Sequence, residues 1–73
     1  MEVRYTKHAL VDSMPDEKIS RREIEEAIRK AELRVKITGK KFKFRHKDLE
    51  AVCVKTQGYW LVITCYRMKG DWK

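Results

Sequence analysis

Two histidines, an alternating cationic stretch and a pair of cysteines are where this sequence carries side chains able to do chemistry. His8 and His46 are the only groups whose ordinary pKa lies near neutrality, so each is a candidate for moving a proton. The stretch Lys40 to Lys47, K-K-F-K-F-R-H-K, alternates with period two. Phe42, Phe44 and His46 fall on one side of an extended strand, and Lys41, Lys43, Arg45 and Lys47 on the other. A helix would mix the two sets. A row of cations suits phosphate, and it is equally the ordinary protection of an edge strand against aggregation. His46 shares the apolar side and reads as structural. His8 opens the first helical segment, where capping, lining a cleft and plain exposure stand level. Cys53 and Cys65 make no C-x-x-C, and no Cys/His group has metal-ligand spacing, so the expected metal and cofactor complement is none. There is no Gly-rich phosphate loop and no Ser/His/Asp order.

Composition bounds the rest. A chain of 73 residues makes one domain with a thin core. Its longest apolar run, Tyr59 to Ile63, is far short of a membrane span, and no secretory signal pattern opens the chain. The expectation is a soluble, cytoplasmic protein that meets no membrane. The net charge of +7 is uneven: residues 1–33 hold seven Lys/Arg against eight Asp/Glu, and residues 34–73 hold eleven against three. That asymmetry points to a polyanionic or acidic partner. With no Asn, one Gln and 40% charged residues, the composition is like that of thermophile proteins.

These groups must be positioned by a short list of elements. Residues 2–6 alternate as a first strand, with Val3 and Tyr5 on one side. Lys7 to Met14 fits two helical turns, interrupted by Pro15 and Asp16. Ser20-Arg21-Arg22-Glu23 is a capping box, with Ile19 and Ile24 placed as a hydrophobic staple. Ile24, Ala27, Ile28 and Ala31 continue an apolar helical stripe that should end near Leu33. Val35 and Ile37 open the next strand, with a turn or bulge at Gly39-Lys40. Leu49 to Lys55 and Tyr59 to Arg67 complete the strands.

Two tight turns then set a register. A two-residue loop at Lys47-Asp48 sets His46 opposite Leu49, Phe44 opposite Ala51 and Phe42 opposite Cys53. A three-residue loop at Thr56-Gln57-Gly58 sets Lys55 opposite Tyr59, Cys53 opposite Leu61, Ala51 opposite Ile63 and Leu49 opposite Cys65. The predicted core face is then Phe42, Phe44, Leu49, Ala51, Cys53, Leu61, Ile63 and Cys65. The cysteines lie four residues apart along paired strands, on the order of 13 Å, so no disulfide is expected. The other face gathers Lys41, Lys43, Arg45, Glu50, Val52, Val54, Trp60, Val62, Thr64 and Tyr66. Cations beside a Trp and a Tyr on one open surface would bind single-stranded nucleic acid by stacking bases and neutralising phosphates. The apolar residues Val52, Val54, Trp60 and Val62 would equally serve a protein partner or a homodimer.

The order strand, short helix, capped helix and meander resembles the RelE/ParE-like toxin superfamily, and more narrowly a small family near the BrnT branch. The matching residues are Tyr5, His8-Ala9, Met14, Ile19-Ser20, Glu23-Ile24, Ala27-Ile28 and Thr64-Cys65-Tyr66-Arg67, within a likeness spanning residues 5–67. Family members often carry Arg-Gly before the Ile-Ser; Glu17-Lys18 stand there here. The resemblance implies an α+β fold over residues 1–73, β-α-α-β-β-β with an optional further strand. Its sheet would be mainly antiparallel, with two N-terminal helices on one face. It also implies a cytoplasmic prokaryotic toxin-like module, in some relatives an endoribonuclease acting without metal, neutralised by an acidic antitoxin protein. By local residue type, Arg45 or Arg67 would stabilise developing phosphate charge, and His8 or Tyr66 would move a proton. Lys41, Lys43, Arg45, Lys47, Trp60, Tyr66 and Arg67 would hold the RNA.

Overall fold

A computed structural model describes residues 2–68. Residues 69–73, with Trp72, lie outside the described residues. The fold is α+β. Strand β1 (Val3–Tyr5) is followed by a π-helical turn (Ala9–Ser13) that runs into α1 (Met14–Glu17), and then by α2 (Arg21–Arg29). Four strands complete it: β2 (Leu33–Thr38), β3 (Lys41–His46), β4 (Leu49–Thr56) and β5 (Tyr59–Arg67). They form one five-stranded sheet in the order β1-β5-β4-β3-β2, with β1 parallel to β5 and every other pair antiparallel.

Pro15 does not end the first helical segment as expected. It sits in the first turn of α1, where no intrahelical amide is needed, so the helix carries through to Glu17. Lys18 then turns the chain with φ 55. The capping box at Ser20 is present: the Glu23 amide donates to Ser20 Oγ at 3.2 Å, and the Ser20 amide donates to Glu23 Oε1 at 3.0 Å. α2 ends at Arg29 rather than near Leu33, because residues 33–38 pair with β3 instead.

The β3–β4 register is the one the Lys47-Asp48 loop requires, with Phe42 opposite Cys53, Phe44 opposite Ala51 and His46 opposite Leu49. The β4–β5 register differs. The loop is Gln57-Gly58 alone, with Gly58 at φ 99, so Thr56 faces Tyr59 and Lys55 faces Trp60. That one-residue change flips Tyr59 to Ile63 relative to expectation. A bulge opposite Val52/Cys53 restores the alternation, so Ala51 faces Cys65 and Glu50 faces Tyr66. Val62, not Leu61 or Ile63, therefore enters the core. That core joins Ala9, Met14, Ile19, Ile24, Ala27 and Ile28 from the helical half to Phe44, Leu49, Ala51, Cys53, Val62 and Cys65 from the sheet. Cys65 faces Ala51, two residues from Cys53, so the free thiols are diagonal neighbours, closer than the separation expected.

Candidate nucleic-acid interface

The register divides the expected site between two faces. On the face away from the helical core, β3, β4 and β5 align Arg45, Glu50 and Tyr66 in one row, with Lys43 and Val52 in the next, while the bulge leaves the Thr64 hydroxyl 2.8 Å from that of Ser13 in the helical half. Glu50 is the pivot, only 3% exposed. Arg45 donates to its Oε2 from Nε at 3.0 Å and from Nη2 at 2.8 Å. Tyr66 donates its hydroxyl to Oε1, and Lys43 Nζ lies 3.9 Å from the same oxygen. Burial alone would raise the Glu50 pKa, but the Tyr66 and Arg45 hydrogen bonds and the nearby charges outweigh it, and the carboxyl sits below its usual range. The same hydrogen bond, with burial, pushes the Tyr66 phenol up to about 12, so at neutral pH it keeps its proton. Lys41, Lys43 and Arg45 share this face, and Lys47, at φ 59, stands in the turn that follows.

Trp60 is not on that face. The two-residue hairpin loop puts it on the helix side, where its ring meets Phe42 edge-on at 5.4 Å and Phe44 edge-on at 5.0 Å. Its cations come from other strands. The Arg34 guanidinium, on β2, lies 5.1 Å from the Phe42 ring centre, 5.5 Å from that of Phe44 and 5.4 Å from that of Trp60. Lys55 Nζ lies 5.7 Å from the Trp60 ring centre. Cations over aromatic faces at this range attract the ring quadrupole. Beside the cluster a groove of about 430 Å³ is lined by Gly39, Lys40, Phe42, Lys55, Thr56 and Gln57. A second groove of about 190 Å³ shares Lys55 and Thr56 and continues past Trp60 to Tyr59. There the Arg4 guanidinium lies 4.3 Å from the Tyr59 ring centre. Phe44 is buried beneath, so Phe42, Trp60 and Tyr59 are the rings that these grooves reach.

The four residues suggested for catalysis do not form one site. Arg45 and Tyr66 meet at Glu50. Arg67 faces the helices instead. It donates to the carbonyls of Glu17 at 3.2 Å and Lys18 at 3.1 Å, to Glu23 Oε2 at 2.7 Å and to Asp48 Oδ1 at 3.3 Å. It is a clamp on the α1–α2 connection. His8 is exposed, with Nδ1 3.3 Å from Asp12 Oδ2. His46 lies on the helix side, and its Nδ1 is buried without a hydrogen-bond partner. Among the described residues no group of His, Cys, Asp or Glu is arranged to hold a metal ion. No described helix is long and apolar enough to cross a membrane.

Arg34, Phe42 and Lys55 belong to the aromatic cluster, and none was a sequence-level candidate for binding. A signal existed for Arg34: L-R-V-K-I-T alternates, which puts Arg34 and Lys36 on the Phe42 side once β2 pairs with β3. Searches of protein-family models, curated proteins and solved structures found no match to this chain.

Proposed function

We propose that this chain is a cytoplasmic, toxin-like RNA-binding module of RelE-like fold, holding single-stranded RNA along the Phe42–Trp60 side of the sheet. The observation that carries the reading is the Arg34 guanidinium poised over three aromatic rings, of which Phe42 lines an accessible groove. Bases would stack on rings there at ~1–3 kcal/mol each, and Arg34, Lys40 and Lys55 would neutralise phosphates. The order of one strand, two helices and four strands supports the toxin-like placement, as does the cationic half of the chain. An acidic antitoxin protein is the cognate partner in this reading. The experiment is titration of a single-stranded oligoribonucleotide into the Trp72→Phe protein. Binding that quenches Trp60 emission and weakens steeply with salt supports the proposal. Binding that leaves Trp60 emission unchanged, or favours duplex, contradicts it.

A second reading, metal-independent RNA cleavage on the opposite face, is favoured by the meeting of Arg45 and Tyr66 at Glu50. In it Arg45 stabilises phosphate charge, and Tyr66, protonated at neutral pH, serves as proton donor rather than base. Loss of cleavage in Tyr66→Phe and Arg45→Gln supports this reading; unchanged cleavage in both removes it.

A further inference from the structure

The strand that ends the sheet at β2 is an unusual edge. Among the described residues β2 pairs only with β3, and every one of its residues is exposed. Leu33, Val35 and Ile37 are 42%, 40% and 42% exposed, and Val11 is the only other large apolar residue exposed to that degree among the described residues. Long, apolar free edges are normally blunted because their unpaired amides and carbonyls template a further strand. Here the blunting is selective. Leu33 and Val35 lie on the Arg45–Lys43 face, while Arg34 and Lys36 lie on the Phe42–Phe44 face.

We propose that the free edge of β2 takes up an extended segment of a partner protein as a sixth strand, and that this segment alternates acidic with apolar residues. Residues directly across an antiparallel or parallel edge share a face, so the incoming strand meets Arg34 and Lys36 on one side and Leu33 and Val35 on the other. Acidic side chains answer the first pair and aliphatic ones the second. A second copy of this chain is the wrong occupant. Symmetric antiparallel pairing centred on Arg34, Val35 or Lys36 sets a cation opposite a cation each time, in a chain already carrying +7. RNA is also disfavoured, since aliphatic side chains give bases no stacking surface and edge carbonyls repel phosphate.

The test uses the full chain and synthetic peptides. An eight-residue alternating Glu/Val peptide, capped at both ends, is titrated against the protein beside its Lys/Val counterpart. The proposal expects the Glu/Val peptide alone to bind and to slow amide hydrogen exchange across residues 33–38. Lys36→Glu, an exposed change, should weaken that binding roughly fivefold and admit the Lys/Val peptide. Equal binding of both peptides, or protection that falls elsewhere, overturns it. So does β2 protection that appears with protein concentration alone, alongside a sedimenting dimer.

Discussion

Across β3 and β4, the Arg45 guanidinium sets Nε and Nη2 at 3.0 and 2.8 Å from one carboxylate oxygen of Glu50. Tyr66 donates to the other oxygen from β5. The carboxyl is thus charged and covered, and its depressed pKa ties stability to pH. The unfolded chain titrates this group near 4.3, so its contribution is fully present above that value and is lost as pH falls through the lower native one. Glu50→Gln should therefore cost about 1–3 kcal/mol at pH 7, leaving Arg45 and Lys43 uncompensated on the same face. The gap from wild type should narrow as pH falls below 4.3. Urea unfolding of both proteins across pH 2–7 measures it.

Arg67 holds the α1–α2 connection through two backbone carbonyls and two carboxylates. A lysine has one ammonium and no fork, so it cannot reproduce that set. Arg67→Ala is expected to lose about 1–3 kcal/mol and Arg67→Lys to recover less than half of it. Thermal unfolding should then fall by roughly 4–8 °C for each kcal/mol lost.

Burial pushes the Cys53 thiol up to about 12 and the Cys65 thiol up to about 11. At pH 8 both are protonated and covered, which removes the reactive thiolate. Iodoacetamide should leave the native protein unmodified for hours and label both residues at once in denaturant. Rapid native labelling of either would show that the core opens.

The Ser20–Glu23 box satisfies the start of α2 from both directions. Ser20→Ala should cost about 1 kcal/mol, and Ser20→Gly only a few tenths. Chemical unfolding distinguishes the two.

What the sequence made legible follows the strength of its local signals. The β3–β4 pairing is readable because Lys47-Asp48 leaves a single loop length and Phe42, Phe44 and His46 alternate cleanly with lysines and Arg45. The α2 cap is readable because Ser and Glu stand three residues apart before an apolar stripe. The faces of β5 are not readable. Tyr59 to Ile63 is apolar throughout, so no alternation chooses between a two- and a three-residue loop, and nothing marks the bulge that follows. That single ambiguity misplaced Trp60 and hid its partners Arg34 and Lys55. The partners of Arg67 were hidden for a different reason: its type suits phosphate, while its carboxylate and carbonyl partners come from residues up to 50 positions away.

In the proposed function, RNA lies on the Trp60 side of the sheet and not on the Arg45 side. Fluorescence anisotropy of a labelled single-stranded oligoribonucleotide, measured over a range of salt, separates the two faces directly. Arg34→Gln with Lys55→Gln should weaken binding and lower the log–log salt slope by about 2, one for each lost phosphate contact. Lys43→Gln with Arg45→Gln should leave both affinity and slope within error of wild type. The opposite pattern, with the Lys43 and Arg45 pair carrying the affinity, would contradict the account.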